Sequence, residues 1–339
     1  RALETFDPVD TVFDVAIIDE ASQSSLEALV ITLMAHKIIV VGDDKQVSPM
    51  MVGVNFEERD AILKKYLGPY LKNSLMFDGH TSFYEIVATA FKPVMLEEHF
   101  RCVPEIIGYS NEKMYNNRIL PLRDSHSSEL IPPVINYRVD GRRNGKAKIN
   151  DKEAECIVSL MLACWEQTEY ADKTFGIISL LGDEQAVYIM NFAYNHDINM
   201  QEWNQRQVVV GNAASFQGDE RDVIFLSMVD DDESANRSRT QLDWRRRYNV
   251  AASRAKDQLW VVNSLDYTKL KHGENLEDED VRFGLLEYAV NYREHRARFL
   301  EAEVKAESPF EAEVAKYLLA KGYHIQQQYE AGPYRIDIV

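Results

Sequence analysis

Cysteine is scarce in this chain. Cys102, Cys156 and Cys164 are the three in 339 residues, and no two of them have C-x-x-C spacing. That argues against a disulfide framework, and the thiols read as reduced and largely structural, in a cytoplasmic setting. Long apolar runs are lacking too: none approaches the ~20 residues of a membrane helix. The first residue is Arg1 rather than Met, and no signal-peptide pattern follows, so the expectation is a segment cut from a longer chain. Positive charge is also short. Lys and Arg number 38 against 55 Asp and Glu, a net charge of −17, which argues against a protein that coats nucleic acid non-specifically. A locally basic groove remains compatible with it. Candidate linings are Arg142, Arg143, Lys146 and Lys148, and the run Arg245-Arg246-Arg247; the alternative for each is a solvated face or loop, and for the first cluster the two readings weigh about equally.

What is present is apolar content, 45%, enough for sizeable cores. The length suggests about two domains on a ~150-residue prior. The chain is organised around residues 210–262. Two short apolar runs, 223–226 and 259–262, suit buried strands of a parallel sheet. Ser215-Phe216-Gln217-Gly218-Asp219-Glu220 precedes the first, and a basic helical segment ending Ser253-Arg254-Ala255-Lys256 precedes the second. Glycine in a polar turn lets backbone N–H groups approach a ligand, and a fixed arginine can stabilise charge on a phosphoryl group.

The stretches SFQGDERDVIFLS and YNVAASRAK resemble motifs five and six of superfamily 1 helicases of the up-frameshift-like type. The resemblance extends along the chain in family order. Residues 12–18 are apolar apart from Asp14 and end in Asp19-Glu20-Ala21-Ser22, a Walker B arrangement. It makes Asp19 the Mg²⁺ residue and Glu20 the residue that orients or deprotonates the attacking water. As bare text the same pattern is a strand leading to a helix N-terminus, where acids are favoured. Residues 38–41 are a second buried-strand run, followed by GDDKQVSP, similar to motif three; the resemblance makes Gln46 the γ-phosphate sensor. LEEHFRCVP resembles motif four, continues as EIIGYSNEKMYNNRILPL, and assigns Arg101 to the nucleotide phosphates. In motif five it implies a close backbone approach at Gly218, a ribose or nucleotide contact at Glu220, and nucleic-acid contact or coupling at Ser215 and Gln217. In motif six Arg254 matches the arginine finger, and Tyr248 stands where leucine is usual.

The pattern G-x-x-x-x-G-K-[ST] is absent. GRRNGKA, residues 141–147, has the wrong glycine spacing, an alanine for the Mg²⁺-binding hydroxyl, and the wrong place in the order. The chain is therefore expected to enter its first nucleotide domain midway, to lack ATPase activity by itself, and to self-associate through truncated sheet edges such as residues 15–18.

Between motifs four and five, residues 134–139 read as a strand. Asn150 or Asp151 caps a helix whose face carries Ala154, Ile157, Val158, Met161, Leu162 and Trp165. Residues 175–181 read as a buried strand and 183–195 as a second helix, the grammar of a parallel sheet. The acidic run 230–233 reads as a solvated loop. Residues 272–280 suit a linker, and 283–304 a single charged helix. The tail has a capping box at Ser308, Pro309 and Glu311, and as a whole resembles the opening of a Vsr-like PD-(D/E)XK nuclease domain, with Glu311 and Asp337 at metal-holding positions.

The expected fold is α/β: two RecA-like parallel-sheet domains, the first truncated, over 1–95 and 96–270, a linker and helix over 271–307, and the start of an α+β restriction-endonuclease-like domain over 308–339. The expected function is that of a fragment of an ATP- and Mg²⁺-dependent helicase or translocase that moves on single-stranded DNA or RNA, 5′ to 3′ by family resemblance. The alternatives are a motor-linked restriction or repair endonuclease and a non-catalytic helicase-fold interaction module.

Overall fold

The computed structural model describes residues 13–47, 56–71, 74–79, 81–124, 127–145, 147–196, 198–303, 309–323, 325, 327–331 and 334–338. Its contacts divide the chain into two units, Arg1–Leu96 and Glu97–Val339.

In the first unit, β1 (Phe13–Ile18) and β2 (Ala35–Val40) pair in parallel, with Ile18 beside Val40. Both come from apolar runs, and the residues between them form a short 3₁₀ segment, Leu26–Leu33. Helices α1 (Phe56–Tyr66) and α2 (Phe83–Ala90) follow. Helix α2 starts on a capping box: Ser82 Oγ accepts the Glu85 N–H at 3.2 Å, and Glu85 Oε2 accepts the Ser82 N–H at 2.8 Å. Phe83 is fully buried against Ile18 and Ala21, which fixes the chain just beyond the end of β1. Among the described residues β1 pairs only with β2, and its Ile17 is 68% exposed.

The second unit is built on a five-stranded sheet. After β3 (Glu98–His99), α3 (Pro104–Met114) and β4 (Leu120–Pro121) come β5 (Val134–Arg138), α4 (Asp151–Trp165), β6 (Phe175–Ser179), α5 (Asp183–Asn195), α6 (Met200–Gln205), β7 (Val209–Asn212), β8 (Arg221–Asp231), α7 (Leu242–Ala252) and β9 (Ala255–Ser264). The order in the sheet is β5-β9-β8-β6-β7, and every pairing is parallel. Alternation along the strands serves two faces. Val223, Phe225 and Val262 join Ile157, Met161, Phe175 and Ile189 in the core under α4 and α5. Ile224, Leu226 and Val261, equally buried, are left for the other face. Asn150 caps α4 by accepting the Glu153 N–H at 3.2 Å. Helices α3, α7 and α8 (Val281–Glu303) pack on one another and against β9 and β5.

Two expectations are corrected here. The acidic run at 230–233 is not wholly a solvated loop. β8 continues through Asp231, and the Asp230 carboxylate is fully buried among three arginines: Arg143 at 3.0 Å, Arg239 at 2.5 Å and Arg282 at 2.7 Å. Those partners come from three separate segments, so no local pattern announces them. The expected charged helix over 283–304 begins at Val281 and contains a kink at Asn291 (φ −112°, ψ 19°).

After α8, helix α9 (Pro309–Ala320) leads to an antiparallel hairpin of β10 (Gln327–Ala331) and β11 (Tyr334–Ile338). Ser308 of the expected capping box lies outside the described residues.

Candidate functional site

In the first unit the candidate residues sit at the carboxyl ends of two neighbouring parallel strands. Backbone bonds hold those ends in step: the Val41 N–H donates to Ile18 O at 2.8 Å and the Ala21 N–H to Val41 O at 2.9 Å. The Asp19 and Glu20 segment therefore lies beside the turn formed by residues 42–46. Asp19 Oδ1 accepts the Glu20 N–H at 2.8 Å, and Glu20 has φ of +50°, a left-handed conformation that few side-chain-bearing residues adopt. In the turn, Asp43 Oδ1 accepts the Lys45 N–H at 2.9 Å and Asp43 Oδ2 accepts from Gln46 Nε2 at 2.9 Å, while Lys45 pairs with Asp44 at 2.7 Å. Gln46 is thus held over the strand end by Asp43. Among the described residues no group of three or more His, Cys, Asp and Glu is arranged to hold a metal ion alone. The donor set nonetheless fits Mg²⁺, which is usually held by one or two carboxylates together with water and substrate phosphates. Asp19 offers an exposed carboxylate of that kind.

In the second unit the candidate residues gather at the amino ends of β8 and β9. The Arg221 N–H donates to Arg254 O at 3.1 Å, so the segments entering the two strands lie side by side. The segment before α3 joins them, because the Val103 N–H donates to Lys256 O at 3.0 Å. Three segments far apart in sequence thereby bring three charges to one point. Arg101 Nε donates to Glu220 Oε2 at 2.6 Å, and Lys256 Nζ reaches Glu220 Oε1 at 2.9 Å. The Arg101 and Lys256 side chains are about one-third exposed (32% and 33%), so their charges face solvent. Arg254 is 2% exposed. Its guanidinium donates to Val250 O at 2.9 Å, and to Asp219 O and Ser253 Oγ at 3.4 Å.

The electrostatics follow from this crowding. Burial pushes the Glu220 carboxyl up, but the bonds from Lys256 and Arg101 outweigh it and hold the group below the usual carboxylate range. His99 moves the other way. Burial, reinforced by the Arg101 and Arg254 charges, lowers it to about 4, so at neutral pH it is uncharged. Its Nε2 then accepts the Cys102 N–H at 3.1 Å. Burial pushes the Cys102 thiol up to about 12, which leaves it inert.

Residues 213–220 run from the carboxyl end of β7 to the amino end of β8, crossing β6. Such parallel crossovers usually take a dozen or more residues. This one is shorter, and its Phe216 packs where β6 has Gly176. A Cβ there would come within 2.5 Å of Ile224 Cδ1 and 2.8 Å of Phe216 Cε1, so the missing side chain makes room for buried Phe216. Gly218 has φ of +80° with open space around its Cα, so its backbone is exposed and left-handed. The crossover separates the candidates it carries. Glu220 lies with Arg101. Ser215 is tied to the end of β7, its Oγ donating to Asn212 O at 2.8 Å. Gln217 lies between them, its N–H donating to Ala214 O at 3.2 Å.

The basic runs are largely tied to the protein itself. Arg143 pairs with Asp230, Arg142 with Glu233 at 3.5 Å and Lys148 with Glu184 at 3.4 Å. Arg245 donates to Lys113 O at 3.2 Å, Arg246 is buried, and Arg247 donates to Leu181 O at 3.2 Å and stacks on Trp244. Lys146 lies outside the described residues. Glu311 is on α9, half-buried, and Asp337 is on β11; the Asp337 side chain lies outside what is described. His99, Lys256 and Arg123 are site neighbours that sequence reasoning left without a role. The signal for Lys256 was its place in SRAK; Arg123 lies in no motif.

Carboxylates at the ends of two parallel strands, and a cluster of cations at the strand ends of a second parallel sheet, are features of nucleotide-processing α/β proteins. A family model described as an AAA domain matches residues 79–266, more than half of the chain, and a second AAA-domain model matches residues 1–53; the chain belongs to this family. Its curated relatives include proteins named as helicases. It is 28% identical over 270 residues to the 5'-3' DNA helicase ZGRF1 of Mus musculus, covering 76% of this chain and 13% of that protein. It is 24% identical to the regulator of nonsense transcripts 1 of Dictyostelium discoideum, over 73% of this chain and 18% of that protein. It is 25% identical to helicase SEN1 of Saccharomyces cerevisiae, over 74% of this chain and 11% of that protein. The chain thus matches less than one-fifth of the length of each. Among the described residues no helix is long and apolar enough to cross a membrane.

Proposed function

We propose that this chain supplies the water-positioning and phosphate-facing parts of an ATP-dependent helicase or translocase with two RecA-like domains, acting on single-stranded DNA or RNA. The observation that carries the reading is the meeting of Arg101 and Lys256 on one carboxylate, with buried Arg254 beside them, at the amino ends of β8 and β9. Little covalent chemistry is asked of a protein in phosphoryl transfer; catalysis is positioning and charge stabilisation. Asp19 would hold Mg²⁺ directly or through water, and the ion would neutralise phosphate charge. Glu20 orients the attacking water, and Gln46, steadied by Asp43, reads the terminal phosphate. Arg101 offers its charge to the phosphates once Glu220 yields it, and Glu220 becomes available to the ribose. Arg254 orders the Asp219 backbone and adds its field to the same point. Ser215, Gln217 and the Gly218 backbone form the link toward nucleic acid.

The relatives' names support the helicase part of the reading, since ZGRF1 is named a DNA helicase and SEN1 a helicase, and the ATP part is supported by the Mycoplasma genitalium relative MG140, named an ATP-dependent helicase. The tail carries a second element of the proposal. Helix α9, with Glu311, packs against β11, which carries Asp337, and this supports the start of a nuclease-like domain. The test of the main reading is ATP turnover, with and without single-stranded nucleic acid, by the natural full-length polypeptide and its Glu20→Gln variant. Glu20→Gln is expected to abolish turnover while nucleotide binding persists; retained turnover would refute the assignment of the attacking-water role.

A further inference from the structure

We propose that Arg123 is a positioning residue for the phosphate-facing cluster: it clamps the segment carrying Arg101 to the segment carrying Lys256 and so sets the distance between their two charges. The inference rests on the reading of that cluster as phosphate-facing, and it adds a residue that no motif contains.

The guanidinium is planar and presents its donors in a fixed fork, so its acceptors are held in fixed relation to each other. Arg123 Nη1 donates to Arg101 O at 2.9 Å and, at the same time, to Lys256 O at 2.9 Å. Its Nη2 pairs with the Asp257 carboxylate, which is 2% exposed, and its Nε donates to Ser127 Oγ at 3.0 Å. Every face of the fork is therefore engaged. The clamp acts on the backbone of the two residues whose side chains converge on Glu220. It also follows Leu122, which lies just after β4 and whose N–H donates to His99 O at 2.8 Å, so the same short segment steadies the backbone ahead of Arg101.

The alternative is that Arg123 only neutralises buried Asp257. Lys173 also pairs with Asp257, at 2.6 Å, but touches neither carbonyl. The two cations therefore separate charge compensation from positioning. A phosphate contact displaced by as little as 1 Å can cost about 10²-fold in rate.

The experiment measures kcat and KM for ATP in the natural full-length polypeptide, with single-stranded nucleic acid at saturation and rates normalised to folded protein by circular dichroism. Arg123→Ala is expected to lower kcat at least tenfold. Lys173→Ala is expected to lower the thermal midpoint and keep kcat within twofold. Arg123→Lys, which returns a cation able to reach both carbonyls, is expected to recover part of the loss. If Arg123→Ala yields too little folded protein, Arg123→Gln takes its place with the same expected loss. A kcat within twofold of the parent in the Arg123 variant, or an equal fall in Lys173→Ala, overturns the proposal. Glu20→Gln is measured alongside. If it hydrolyses ATP normally, the nucleotide reading fails; if it is inactive while Arg123→Ala is not, only the clamp fails.

Discussion

Replacing Glu153 with glutamine tests the buried polar network at the centre of the second unit. Glu153 opens α4 and is fully buried. Its Oε2 accepts from Ser227 Oγ at 2.8 Å and from the Val229 N–H at 2.8 Å. Its Oε1 accepts from Ser264 Oγ at 2.9 Å and from Asn150 Nδ2 at 3.2 Å. Burial pushes the carboxyl from its ordinary 4.5 up to about 7; the bonds from Val229, Ser227 and Ser264 pull it down, and Asp230 adds to the rise. A carboxyl raised in the folded state contributes stability that is fully present below about 4.5 and is lost as pH rises through about 7. A tenfold change in proton affinity is worth about 1.4 kcal/mol, so the Glu153 contribution should fall by about 3 kcal/mol between pH 4.5 and pH 8. Glutamine has nearly the same shape and does not titrate. Its carbonyl can face the Val229 N–H, which cannot move, and its amide can face the Ser264 hydroxyl, which can rotate to accept. The variant is expected to be less stable than the parent near pH 5 and equal or more stable near pH 8. Urea denaturation followed by tryptophan fluorescence at pH 5, 6, 7 and 8 reads the difference. A stability difference that stays constant across that range would refute the argument.

Asp230→Ala leaves three arginines around an empty buried position and should cost about 3–5 kcal/mol, read as a lower urea midpoint. Gly176→Ala forces a methyl against Ile224 and Phe216 and should cost about 1–3 kcal/mol by overpacking, with the 213–220 crossover displaced; a midpoint equal to the parent's would show that the loop does not depend on that contact. Gly218→Ala meets no atoms and is opposed only by its left-handed backbone, so it should cost about 1–2 kcal/mol and leave the core packing unchanged by near-UV circular dichroism.

Four of the five sheet strands were legible as short, largely apolar runs: 223–226 and 259–262 fall inside β8 and β9, and the expected 134–139 and 175–181 cover β5 and β6 but overrun them by one and two residues, while β7 was not read as a strand. The α4 face was legible from its helical spacing, and Asn150 as its cap from residue chemistry. The candidate residues stood out one at a time, by resemblance to motifs. Their partners did not. That Arg101 meets Glu220, 119 residues on, depends on three segments being brought to the amino ends of two neighbouring strands, and nothing local in HFR or QGDE encodes it. The same holds for Asp230, which sits in an acidic run typical of solvent but finds Arg143, Arg239 and Arg282 in the fold. Gly176 and Arg123 were illegible for a related reason: one makes room for a loop, the other holds two carbonyls, and both roles exist only in three dimensions.

The most direct test of the account is nucleic-acid-stimulated ATP turnover by the natural full-length polypeptide with Arg101→Ala. That side chain is partly exposed and its main partner is a single carboxylate, so the fold should survive its loss. Removing a charge that stabilises a transferring phosphoryl group cost roughly 10³–10⁵ in rate among the GTPases. The account predicts a loss of about 10³-fold or more in kcat with an unchanged circular-dichroism spectrum. An unchanged kcat would contradict the claim that this cluster faces the phosphates.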